Sequence, residues 1–133
     1  MSPSLTIIIP AYNEVKNLRL AHGSILGVLQ KAEIFNYEII ITTGTRRDGS
    51  RDNTTDVANK IAEEYEFTRS LYCDHFVGLG HKYREAVQAA TKEYIILIPG
   101  DGEFVEDSIV DVLGHIGDEE IIVTYPYNPE VRQ

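Results

Sequence analysis

Apolar residues along the 133-residue chain follow two alternating patterns. Short unbroken runs of β-forming residues occupy 5–10 (LTIIIP), 37–42 (YEIIIT), 69–73 (RSLYC), 93–98 (EYIILI) and 119–125 (EEIIVTY). Their length and their β-branched content predict five strands. Between them the apolar positions recur at spacings of three and four. Leu18, Ala21, Ile25 and Leu29 predict an amphipathic helix over 14–31, and Val57, Ile61 and Tyr65 one over 55–66. A third helix is expected over 81–92, opened by the GLG at 78–80. A fourth is expected over 106–116, with Ile109, Val112, Leu113 and Ile116 inward. Gly23 and Gly27 weaken the first helix.

The strands are apolar without a period of two, the pattern of a strand covered on both faces. Strand and helix alternate throughout, so the fold class is α/β, a mostly parallel sheet flanked by helices on both faces. No internal repeat, low-complexity tract or linker interrupts the chain. One domain of this length buries about two thirds of its unfolded surface. In such a sheet, ligands gather beyond the carboxyl ends of the strands. The segments after strands one, two, three and four are therefore expected to share one edge.

Charge narrows what that edge receives. The chain carries 21 acidic against 12 basic residues, a net charge of -9. Nucleic-acid binding rests on clustered Lys and Arg and is not expected. A small anion would have to be met locally, by backbone N–H groups, a few basic side chains or a bound cation. Cys73 is the one cysteine, so no internal disulfide forms, and a half-buried hydrophobic role is expected for it. No signal segment and no apolar run long enough to span a bilayer is present, giving a cytoplasmic expectation, with membrane association reserved for a longer parent.

Pro10, Ala11, Tyr12, Asn13 and Glu14 lie just ahead of a helix, where unpaired N–H groups suit an anion or a polar base edge. Asn13 equally suits a helix cap. The second edge segment, TGTRRDGSRDNT (43–54), gathers Arg46, Arg47 and Arg51, whose guanidinium groups suit diphosphate oxygens. Asp52 or Asn53 there suits a cap for the next helix. Gly78, Gly80, His81, Lys82 and Arg84 open the third helix; first-turn residues such as His81 and Lys82 are ordinarily solvated. In PGDGEF (99–104), Asp101 is both a natural turn residue and the best ligand for a hard cation. Neither Cys nor His is spaced for a zinc site, and no nucleophile elbow is present.

Together these segments resemble the family 2 glycosyltransferases, which have the Rossmann-like GT-A (nucleotide-diphospho-sugar transferase) fold. TIIIPAYNEVKNL is similar to that family's opening strand and loop. YEIII followed by DGSRDNT is similar to its second strand and Asp-Gly-Ser segment. GLGHKYREAVQAATKEYIILIPGDGEF is similar to its glycine-led helix, fourth strand and metal loop. The resemblance implies a metal-assisted hexosyltransferase using a nucleotide-diphosphate-sugar donor. It places Pro10, Ala11, Tyr12 and Glu14 at the base, Asp48 near the base or ribose, and Gly80 and Arg84 beside the nucleotide. Asp101, with Glu103 as a second candidate, would bind Mg²⁺ or Mn²⁺.

This chain departs from the family pattern in two places. Thr42 to Arg47 stand where the family has two adjacent acids, read here as an insertion ahead of Asp48, and the family's Asp-x-Asp is Pro99-Gly100-Asp101. With one acid, metal affinity in the absence of nucleotide is expected to be weak. Members of the family continue well past this chain's last residues, so the resemblance implies a single nucleotide-sugar-binding domain over 1–133. The acceptor-binding half and the general base would lie beyond Gln133. A polysaccharide, a lipid phosphate and a protein all stay open as acceptor, and oligomeric state is not legible. Two other readings compete: a non-catalytic nucleotide-sugar-binding module, and a nucleotidyltransferase, which lacks its expected basic glycine-rich loop after strand one.

Overall fold

The computed structural model describes residues 3–51, 53–102 and 105–118, Leu79 by its backbone alone. Its elements run β1 (Ser4–Pro10), α1 (Leu18–Lys31), β2 (Asn36–Thr43), α2 (Thr54–Glu64), β3 (Thr68–Tyr72), α3 (Leu79–Ala89), β4 (Tyr94–Leu97) and α4 (Glu106–Leu113). The strand expected over 119–125 lies outside the described residues. The four strands form one parallel sheet in the order β3-β2-β1-β4.

The register explains why the strands show no alternation. Ile7 pairs with Ile39 and Ile9 with Ile41, and these residues join Leu18, Ile25, Leu29, Ala58, Ile61 and Leu113 in a core under α1, α2 and α4. Ile8 pairs with Ile40, and these turn to the opposite face, against Ala86 of α3. Both faces are covered, as expected of an apolar parallel strand. The handedness of the crossovers accounts for the split. From β1 to β3 the chain steps outward in one direction, so α1 and α2 fall on one face; β4 returns to the far side of β1, and α3 must cross on the other. The sheet order therefore reverses between β1 and β4, where ligands bind in such sheets.

The opposite end of the sheet is held by a carboxylate. Glu38 is 8% exposed and accepts hydrogen bonds from Thr6 Oγ1 (2.7 Å), Thr91 N (2.5 Å), Thr91 Oγ1 (3.0 Å) and Arg69 Nη2 (2.9 Å). Burial alone would raise its pKa. The four donors outweigh it and leave the carboxyl below its ordinary value. The same contacts end α3 early: Ala90 is extended and Thr91 turns to Glu38, three residues short of the boundary expected from sequence.

Candidate functional site

The ladder continues past the strand ends and draws four loops together. Ala11 N donates to Thr42 O (2.9 Å), Cys73 N to Thr43 O (2.9 Å) and Gly100 N to Pro10 O (3.0 Å). A glycine at position 100 eases the last of these contacts. A Cβ there would sit 3.2 Å from Ile9 Cγ2 and Pro10 O and 3.3 Å from Ala11 Cβ. The neighbouring Asp101 is thereby seated beside the loop after β1. Gly102 completes the turn at φ 74, a conformation that favours glycine.

These loops enclose a cavity of about 440 Å³ at the β1/β4 switch point. Pro10, Ala11, Tyr12 and Glu14 line it from the loop after β1, and Leu97, Pro99, Gly100 and Asp101 from β4 and its loop. Thr45, Phe76, Val77, Gly78 and Lys82 complete it. Glu14 N donates to Thr54 Oγ1 at the start of α2 (2.9 Å), fixing the first loop against the second helix. Thr45 Oγ1 donates to Cys73 O (2.8 Å) and lies 2.9 Å from the Tyr72 hydroxyl, tying the second loop to the third.

Five of the residues singled out in the sequence thus meet in one place: Pro10, Ala11, Tyr12, Glu14 and Asp101. Asp48 does not line the cavity. It sits in an exposed turn closed by Arg46 and Gly49, where Ser50 N and Oγ donate to its Oδ1 (2.9 and 2.6 Å) and hold the carboxyl below its ordinary pKa. Gly80 and Arg84 are exposed on α3 and outside the lining, and Glu103 is outside the described residues. The three arginines have protein partners. Arg46 donates to Asn13 Oδ1 (3.0 and 3.3 Å) and Ser50, Arg47 lies 4.8 Å over the Phe76 ring, and Arg51 lies 3.3 Å from Asp56. Asn13, at φ 54, is a bend ahead of α1, whose N-cap is Asn17.

Lys82 is the residue that sequence reasoning passed over. Its amine lies 5.4 Å from the Tyr12 ring centroid and lines the cavity. The signal was Gly44: a Cβ at that position would lie 2.7 Å from Lys82 Cε and 2.9 Å from its Nζ, so the glycine leaves room for the lysine stem.

The donor chemistry fits a hard cation only in company with a ligand. Asp101 and Glu14 bring carboxylate oxygens to the same cavity as one ammonium, Lys82. Among the described residues Asp101 is in no group of three close His, Cys, Asp or Glu ligands. Mg²⁺ is commonly held in this way, by one or two carboxylates plus phosphate and water. An anionic phosphate entering beside Asp101 would in turn be repelled unless a cation came with it.

Comparison with known proteins agrees with this geometry. The family model "Glycosyl transferase family 2" matches residues 6–131, and the chain belongs to that family. Among similar proteins are dolichyl-phosphate beta-glucosyltransferases of Mus musculus and Homo sapiens, 31% and 30% identical over 104 residues. Each match covers 74% of this chain and 31% of the relative. Another, from Trichomonas vaginalis, is 27% identical over 128 residues, covering 89% of this chain and 37% of the relative. The chain thus spans about a third of the length of these curated relatives. Among the described residues no helix is long and apolar enough to cross a membrane.

Proposed function

We propose that this chain is the donor-binding part of a glycosyltransferase that takes a sugar from a nucleotide-diphosphate-sugar to a lipid phosphate. The observation that carries the reading is the cavity at the β1/β4 switch point, with Asp101, Lys82 and Tyr12 in its wall. The named relatives supply the acceptor class, since each is a dolichyl-phosphate glucosyltransferase.

In this reading the loop after β1 receives the base: Pro10 and Ala11 form a wall, Tyr12 offers a ring face and Glu14 a polar edge. Lys82 meets the diphosphate with its ammonium. Asp101 is the residue that would hold Mg²⁺ or Mn²⁺, with the donor's phosphates helping to complete the site. The cation, when bound, neutralises charge that develops on the departing nucleoside diphosphate. An acceptor phosphate oxygen attacks the anomeric carbon with inversion, forming the new carbon–oxygen bond as the bond to the nucleoside diphosphate breaks.

The test is Asp101→Asn, which keeps the shape of the side chain and removes its charge. UDP-glucose affinity measured with and without Mn²⁺ by calorimetry is expected to lose its metal dependence in the variant. Affinity that stays metal-dependent after the substitution would remove Asp101 from the site. Equal, metal-independent binding by both proteins would favour a module that binds the nucleotide sugar without a cation.

A further inference from the structure

A second group of ligands lies beside the cavity, on the segment joining β3 to α3. Cys73 ends the ladder after β3, His75 stands in the loop, and His81 is in the first turn of α3. One ligand atom from each lies within 4.8 Å of the other two. We propose that Cys73, His75 and His81 form a binding site for a zinc-class divalent cation, distinct from the oxygen site at Asp101.

The chemistry selects the metal. A thiolate with two imidazoles suits Zn²⁺, whereas Mg²⁺ and Mn²⁺ prefer oxygen. Tetrahedral coordination at ordinary zinc bond lengths separates the donor atoms by about 3.3–3.6 Å. The widest observed spacing therefore has to close by up to about 1.5 Å. The two imidazoles are free to make that movement, their side chains being 64% and 44% exposed. The thiol is held still, since Cys73 is buried and its backbone is bonded on both sides, N–H to Thr43 O and carbonyl to Thr45 Oγ1.

The surroundings of the imidazoles have the form that metal-binding histidines take. His75 Nδ1 lies 3.0 Å from Asp74 Oδ1, and His81 Nε2 lies 2.9 Å from Glu85 Oε1. A carboxylate on one ring nitrogen orients the ring and makes the other nitrogen a better donor. That leaves His75 Nε2 and His81 Nδ1 for the ion. Three protein ligands fill three of four positions, and the fourth goes to water or a ligand. Binding releases the thiol proton. It also staples the loop whose Phe76, Val77 and Gly78 line the cavity.

Untagged protein titrated with Co²⁺ and Zn²⁺ tests the proposal. One Co²⁺ per chain is expected, with thiolate-to-cobalt charge-transfer absorption and the visible bands of tetrahedral cobalt, both bleached by Zn²⁺. Cys73→Ser should abolish the charge-transfer band. His75→Ala and His81→Ala, at exposed positions where folding is not at stake, should each weaken binding by about tenfold or more. His115→Ala should change nothing, because that ring pairs with Asp118 on another turn. Cobalt bound without a thiolate band, or affinity unaltered by both histidine substitutions, would overturn the assignment.

Discussion

Acid should weaken this fold before it reaches the carboxylate range, and His22 is the reason. The residue is 2% exposed, its Nε2 is 3.0 Å from Thr68 Oγ1, and its ring lies against Tyr65 and Phe67 at centroid distances of 4.9 and 6.4 Å. Burial, reinforced by the nearby Arg19 charge and only partly offset by Glu64, lowers its pKa from 6.5 to about 4. The unfolded chain regains the ordinary value. Between the two pKa values the unfolded state binds a proton that the folded state refuses. Stability is therefore full above pH 6.5 and falls as pH is lowered toward about 4. Integrating this linkage from about pH 7.5 to about pH 5 gives a loss of about 2 kcal/mol, a large share of a domain's stability. Urea denaturation across that range measures it directly, with His22→Gln as the comparison. The variant should be less stable near pH 7.5 and should lack most of the acid-dependent loss. If His22→Gln loses as much stability as the parent over the same interval, the buried neutral imidazole is not the cause.

Two further outcomes follow from packing and hydrogen bonding. Glu38→Gln removes the charge and puts an amide N–H₂ beside the Thr91 N–H or the Arg69 guanidinium, neither of which can accept, so a loss of about 2–4 kcal/mol is expected by chemical denaturation; a loss under about 1 kcal/mol would mean the network around Glu38 is not holding the sheet. Because the Glu38 carboxyl is held below its ordinary pKa of 4.5, its contribution is present at neutral pH and disappears only as pH falls through that lower value, below most of the His22 window. Gly23→Ala, on an exposed helical position with open space where the Cβ would go, should add about 0.5–1 kcal/mol and raise the melting temperature. A fall in melting temperature would show that the glycine is needed for something other than the helix.

The sheet was legible because apolar runs in a parallel sheet report burial on both faces, and each described strand falls where its run predicted. Boundaries moved where tertiary contacts overrode local preference. The helix expected from residue 14 begins at Leu18, since Asn13 takes a left-handed conformation and the following turn is irregular. The helix expected to reach residue 92 ends at Ala89, because Thr91 bonds to Glu38, a residue 53 positions away. Within the cavity wall, Pro10, Ala11, Tyr12, Glu14 and Asp101 were legible because they follow strand ends. Lys82 was not, since its amine reaches the cavity from the first turn of α3, passing Gly44 two elements earlier, a tertiary placement that no local pattern marks. Composition offered the arginines of the second loop as candidates for diphosphate oxygens; in the folded loop they lie against Asn13, Phe76 and Asp56. Cys73, His75 and His81 have no zinc-like spacing, and the turn into α3 brings them together.

The central claim is that the cavity binds a nucleoside diphosphate with a divalent cation, and a thermal-shift panel of UDP, GDP, CDP and dTDP with and without Mn²⁺ tests it most directly. Ligand at about 100 times its dissociation constant adds about 2.7 kcal/mol to the folded state, enough to raise the melting temperature by several degrees. Such a shift is expected for one nucleotide, present with Mn²⁺ and largely absent without it. No shift with any of the four, under either condition, would contradict it.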